Sequence, residues 1–160
     1  MSYRKDIRSD EEFAEDIQKH TKRELDLFIR WLDFIKNKTG KVLTYQSIGC
    51  GPDGEVLADK DVSVGADFEV EEYGKIDVKF SNVKIKDFFH LKEKHVLRYI
   101  EDDVSILMVN DAEGTPVFTL LDPRILANVK RTCQIVNFGG FGFKPSFRIP
   151  IGDFIWRQLD

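Results

Sequence analysis

Apolar positions between residues 10 and 36 recur at three- and four-residue steps: Phe13, Ile17, Leu25, Phe28, Leu32 and Ile35. That is the period of one face of an α-helix. Ser9 stands just before the run with Glu12 three residues later, the pattern of a capping box, so a long amphipathic helix is expected. Beyond Gly40 the period shortens to two. Lys41-Val42-Leu43-Thr44-Tyr45 reads as a strand, the stretch from Gly49 to Gly54 as a turn-rich connection, and Ala66-Asp67-Phe68-Glu69-Val70 and Lys75-Ile76-Asp77-Val78-Lys79-Phe80 as two paired strands. The loop Glu72-Tyr73-Gly74 suits a type I turn closed by a left-handed glycine. Residues 86–101 fit a short helix through Phe88, Phe89, Leu91, Val96, Leu97 and Ile100. Ile106-Leu107-Met108-Val109 reads as a fully apolar central strand and Val117-Phe118-Thr119-Leu120-Leu121 as another, with the turn at residues 110–114 between them. A last helix over residues 121–129 is entered through Asp122 as N-cap and Pro123 at the first helical position.

The hairpin carries the most specific chemistry. With Glu71 paired to Lys75, Asp67 lies opposite Lys79, and alternation sends Asp67, Asp77 and Lys79 to one face with Glu69 beside them. Phe68, Val70, Ile76, Val78 and Phe80 cover the other face. One apolar and one charged face also describes a solvated sheet edge. Glu24 belongs to the series Ile17, Thr21, Glu24, Phe28 and Trp31, at or beside the apolar face of the first helix, where it either pairs with a surface lysine or serves a site.

The order Asp67-x9-Asp77-x-Lys79 resembles the core of the PD-(D/E)xK nuclease superfamily, in which an acidic residue begins one strand and an acidic-x-Lys tripeptide sits on the next. Ala66 stands where the nominal pattern has proline. The resemblance covers about residues 41–110 and the helix before them. It implies an α/β restriction-endonuclease-like core, a mixed central sheet flanked by helices, reached here as helix, three-stranded meander, helix and returning strand. Pro52-Asp53 is literally a PD dipeptide, but Pro-Asp-Gly is better explained as a turn. Asp59 and Asp61 are rivals to Asp67 that lie farther from the hairpin.

The resemblance further implies a metal-dependent endonuclease that hydrolyses DNA phosphodiesters to leave 5′-phosphate and 3′-hydroxyl ends. Asp67, Asp77, the backbone carbonyl of Val78 and either Glu24 or Glu69 would hold Mg2+, with Mn2+ able to substitute, through the oxygen ligands hard cations prefer. Lys79 completes the catalytic set of Asp67, Asp77 and Glu24. An ordinary lysine, with a pKa of about 10.4, is a poor base at neutral pH, so Lys79 is expected to position water and neutralise the phosphate. Small members of the superfamily act as dimers or higher oligomers because one site cuts one strand, and the same is expected here. The alternative is a non-catalytic nucleic-acid-binding or assembly protein on the same fold. A small interaction protein unrelated to nucleic acid is the third reading.

Charge distribution refines the partner. The chain has 160 residues, 42% apolar and 32% charged, with a net charge of −4, as expected of one globular domain burying roughly 70% of its unfolded surface. Residues 1–72 carry 11 Lys/Arg against 17 Asp/Glu, whereas residues 123–160 carry 6 against 2. Arg124, Lys130, Arg131, Lys144 and Arg148 therefore stand in a basic, aromatic segment of about residues 123–152 suited to phosphates and bases, or in a tail merely short of acids. Lys84, Lys86, Lys92, Lys94 and Arg98 form a second basic run after the candidate site. The expected partner is duplex or branched DNA. Within Asn137-Phe138-Gly139-Gly140-Phe141-Gly142-Phe143-Lys144-Pro145-Ser146-Phe147-Arg148 no dinucleotide fingerprint occurs, and the phenylalanines either stack on bases or fold under the sheet, with the basic pair facing out. No helix-turn-helix or zinc finger is evident. Cys50 and Cys133 are too far apart for a C-x-x-C site, and His20, His90 and His95 make no ligand cluster in sequence. No apolar run approaches the roughly 20 residues of a membrane span, and the first residues lack a signal-peptide core, so a cytoplasmic protein is expected.

Overall fold

The computed structural model describes residues 10–48, 66–112 and 115–159. Along the chain run α1 (Asp10–Thr39), β1 (Tyr45–Ser47), β2 (Phe68–Val70), β3 (Gly74–Ser81), β4 (Phe88–Lys92), α2 (Glu93–Asp102), β5 (Val104–Asn110), β6 (Val117–Leu121), α3 (Pro123–Thr132), β7 (Gln134–Phe138), β8 (Lys144–Pro150) and β9 (Arg157–Gln158). They build an α/β structure around a mixed six-stranded sheet ordered β1-β2-β3-β5-β6-β9, with a second sheet ordered β4-β8-β7. Among the described strands only β3 and β5 run parallel; the other neighbours are antiparallel. Ser9, Cys50, Pro52, Asp53, Asp59 and Asp61 lie outside the described residues.

Both faces of the large sheet are covered, which is why β5 is apolar without alternation. On one face α1 lays Leu27, Phe28, Trp31 and Ile35 against Phe68, Val70, Ile76, Val78, Leu107 and Val109. On the other, α2, α3 and the small sheet bring Val96, Tyr99, Leu126, Val129, Phe89 and Phe147 onto Ile106, Met108 and Leu121. The expected helical stripe is thus realised at Phe28 and Ile35, with Leu25 and Leu32 half-buried beside them. Gly40, at φ +75°, ends α1 by donating its N–H to the Lys36 carbonyl at 2.8 Å. Asp122 caps α3 as expected, its Oδ1 accepting from the Ile125 N–H at 2.8 Å ahead of Pro123.

Several expectations need correction. The hairpin pairs Glu69, not Glu71, with Lys75, and Val70 with Gly74. The loop is therefore residues 71–73, and Glu72 at φ +70° gives it the positive third position of a type II turn, with Gly74 at φ +74° following. A shift of two residues leaves the side chains of β2 and β3 on their expected faces, but Asp67 lies in a bend before β2, where alternation breaks, and turns toward Val78 and Asp77 instead of Lys79. The first strand is Tyr45–Ser47, displaced from 41–45, because its pairing begins opposite Val70. Residues 86–101 are not one helix. Phe89 and Leu91 point inward at a period of two and pair with β8, and the helical period begins only at Glu93. Residues 134–150 fold as a β-hairpin with its tip at Gly139–Phe141. Phe147 is buried, Phe138 and Phe141 are half-buried, Phe143 is exposed, and Lys144 and Arg148 face out. No helix among the described residues is long and apolar enough to cross a membrane.

Candidate carboxylate–lysine site

The site is built where β2 parts from β3. The Asp67 N–H donates to the Ile76 carbonyl at 3.0 Å, so Ile76 turns its backbone toward β2. Alternation points the N–H and carbonyl of Val78 the same way. There the strand partner is replaced by a side chain: Asp67 Oδ2 accepts from the Val78 N–H at 3.0 Å. Asp77, in the next slot on the α2 face, is 4% exposed. Its Oδ2 accepts from the Tyr99 hydroxyl at 2.6 Å and lies 3.3 Å from Lys79 Nζ. Lys79 Nζ is in turn 3.5 Å from His95 Nδ1. His95 and Tyr99 are one turn apart on α2, so a single helix face supplies both contacts.

Glu24 reaches the same neighbourhood from α1. Its Oε1 lies 2.7 Å from His20 Nε2, and the His20 ring stacks on Phe80 with centroids 4.6 Å apart. Its charge acts on Asp67. Glu69 is exposed and faces Lys75 across the hairpin, so Glu24 is the better placed third carboxylate.

The electrostatics divide the site into two ends. At the acidic end, burial, the Asp77 charge and a hydrogen bond between the two carboxyls push Asp67 up to about 9, with Glu24 adding to the shift. Burial and the Asp77 charge also drive the Tyr99 hydroxyl far above its ordinary value, so it remains a donor. At the cationic end, burial pushes His95 down to about 4, helped by the charges of Lys79 and Lys92. Burial also lowers Lys92, reinforced by Lys144, Lys79 and Lys94. His90 is lowered by burial and by Arg148. His90 and His95 are therefore held toward the neutral form among crowded ammonium groups, beside a carboxyl pair in which burial favours the proton on Asp67.

Asp67, Asp77, Lys79, Val78 and Glu24 are thus brought together. Of the two basic runs, Lys84, Lys86 and Lys92 line a cleft of about 510 Å³ that starts at Lys79 and Glu24, and Lys94 and Lys144 act electrostatically on its wall. Of the remaining cations, Arg148 reaches this cleft through Phe88 and His90, and the others do not line it. Arg98 Nε is tied to Asp102 at 2.6 Å, and Arg124 borders a separate depression with Asp122 and Asp153. Lys130 and Arg131 close α3, Arg131 bonding Asn128, and Arg148 lies 3.8 Å over the Phe88 ring. The sequence reading missed Tyr99, and it missed that His20, His90 and His95 share this cleft. The spacing of His20 to Glu24 and of His95 to Tyr99, four residues each, was the available signal.

Among the described residues no group of three or more His, Cys, Asp or Glu side chains is arranged to hold a metal ion. The donors present still fit a hard divalent cation: the buried Asp77 and the half-buried Asp67, whose proton is held by burial and by the Asp77 charge, with Val78 beside them. Comparison of the chain with protein-family models, with curated proteins and with solved structures finds no match in any of the three.

Proposed function

We propose that the protein is a divalent-metal-dependent endonuclease that hydrolyses DNA phosphodiester bonds and leaves 5′-phosphate ends. The observation that carries this reading is the convergence of Asp67, Asp77 and Lys79, with Lys79, Val78 and Glu24 at the edge of a lysine-rimmed cleft and with burial and the Asp77 charge raising Asp67. The order α1, β1-β2-β3 meander, α2 and parallel β5 further supports a restriction-endonuclease-like core, with β4, the β7–β8 hairpin and β9 as additions.

A phosphodiester is anionic and gains charge on attack, so the site must present cations to it. Asp67, Asp77, the Val78 carbonyl and Glu24 would hold Mg2+ or Mn2+, which would supply positive charge to the phosphoryl oxygens and acidify a bound water. Lys79, held between Asp77 and His95, neutralises a non-bridging oxygen and orients that water. Tyr99 fixes the Asp77 carboxylate by its hydroxyl and keeps its own proton. His95 stays neutral, so it positions Lys79 without repelling it. Lys84, Lys86 and Lys92 hold the flanking phosphates. One such site cuts one strand, so cleavage of both strands of a duplex takes a dimer or higher oligomer.

A non-catalytic nucleic-acid-binding protein is the second reading, favoured by the fact that Asp77 Oδ2 is already engaged by Tyr99 and Lys79. Supercoiled, linear, single-stranded and branched DNA incubated with Mg2+, Mn2+ or EDTA separates the two. Metal-dependent cuts lost in Asp67→Ala and Lys79→Ala are expected; folded protein that binds these DNAs and cuts none would favour the second reading.

A further inference from the structure

The cleft runs from Lys79 on β3 to the tip of the β7–β8 hairpin. Phe89, Leu91, Ile106 and Met108 give it an apolar floor. Its far wall is aromatic. The His90 and Phe138 rings lie parallel with centroids 3.9 Å apart, and Phe141 meets Phe138 edge-on at 5.0 Å. The hairpin tip is shaped around these rings: a Cβ on Gly140 would come within 2.5 Å of Phe138 Cε1, and Gly142 takes φ +68°. Lys92 Nζ lies 5.4 Å from the Phe141 ring centroid. The volume is that of a small-ligand site.

A polyanion alone would need only the lysines, and an apolar ligand alone only the floor and wall. The combination of an aromatic wall, an apolar floor, imidazole donors and acceptors, and a cationic rim matches a base with its flanking phosphates. We propose that the cleft receives one unstacked base of a DNA strand whose adjacent phosphate lies at Lys79, so that the substrate class is DNA with an unpaired nucleotide, at a branch, bulge or single-stranded end. A base inside a continuous duplex cannot enter such a cleft without first leaving the stack. This inference rests on the nuclease reading for the identity of the polymer and names its substrate.

Binding of DNA carrying the fluorescent base 2-aminopurine tests it, in EDTA so that no cutting intervenes. A single-stranded and a bulged oligonucleotide are compared with the matching duplex, with the probe moved one position at a time. One position is expected to be quenched on binding, and an abasic nucleotide there to weaken binding about tenfold to a hundredfold. Phe141→Leu is expected to lose the quench, while the abasic comparison leaves the protein unaltered and guards against a hairpin that fails to form. Equal affinity for the duplex and the bulge, or for the abasic and intact strands, would overturn the proposal. The readout is independent of catalysis. A protein that captures the base but cuts nothing loses the nuclease reading alone, and one that cuts intact duplex and ignores the abasic change loses the base site alone.

Discussion

Burial and the facing Asp77 keep Asp67 protonated well above the usual carboxylate range, to about 9, when no cation is bound. A carboxyl that binds its proton more tightly in the folded state than in the unfolded one, where it titrates at about 4, contributes no penalty below that value. Above it, the penalty grows as pH climbs toward 9. His95 works in the opposite sense. Pushed down to about 4, it favours the fold fully above its unfolded value of about 6.5 and loses that contribution as pH falls toward 4. The two effects oppose one another between 4 and 6.5 and separate above that window. In EDTA, denaturant melts between pH 6.5 and 9 should therefore show stability falling with pH, at no more than about 1.4 kcal/mol per unit for this one proton. Asp67→Asn should flatten the slope. An unchanged slope in that variant would mean that another group carries it.

At the scale of elements, the β7–β8 hairpin is where local geometry and site meet. Its tip brings the Phe138 ring within a distance that only a residue without a Cβ at position 140 allows. Gly140→Ala should displace that ring from His90, lowering stability by about 1–3 kcal/mol, the range of overpacked contacts, and weakening nucleic-acid binding together with it. Chemical denaturation and a binding titration on the same variant would check both. Much of the candidate site was legible before the fold. Alternation puts Asp77 and Lys79 on one face, and a register two residues out leaves that parity intact, whereas Asp67 joins them from a bend before β2 that alternation does not describe. Glu24 was visible as a carboxylate at the edge of an apolar stripe. The strand β4 was not legible, since Phe88, Phe89 and Leu91 suit either period and the choice is made by pairing with β8, far along the chain. The cleft was not legible for the same reason. It exists because the small sheet sets His90 and Phe138 beside the end of β3, a juxtaposition that no local pattern encodes.

Across the whole molecule, net charge misleads: a chain of net charge −4 presents a cluster of lysines around one cleft. Single-stranded DNA binding should weaken steeply with salt, and Lys84→Ala and Lys86→Ala should each reduce the slope of log affinity against log salt by about 0.7. Arg98→Ala should leave that slope unchanged, because Asp102 already compensates its guanidinium; an equal effect of all three would spread the contact surface beyond the cleft. At the other end of the site Asp67 and Asp77 meet, and burial together with the Asp77 charge raises Asp67 in the absence of a cation. The most direct test of a metal site there is a calorimetric titration of the protein with Mn2+ at pH 7.5, beside Asp67→Asn and Asp77→Asn. Saturable binding that is lost or weakened at least tenfold in both variants is the predicted result. No binding to the folded wild-type protein, or binding that both variants retain in full, would contradict a metal site at this pair.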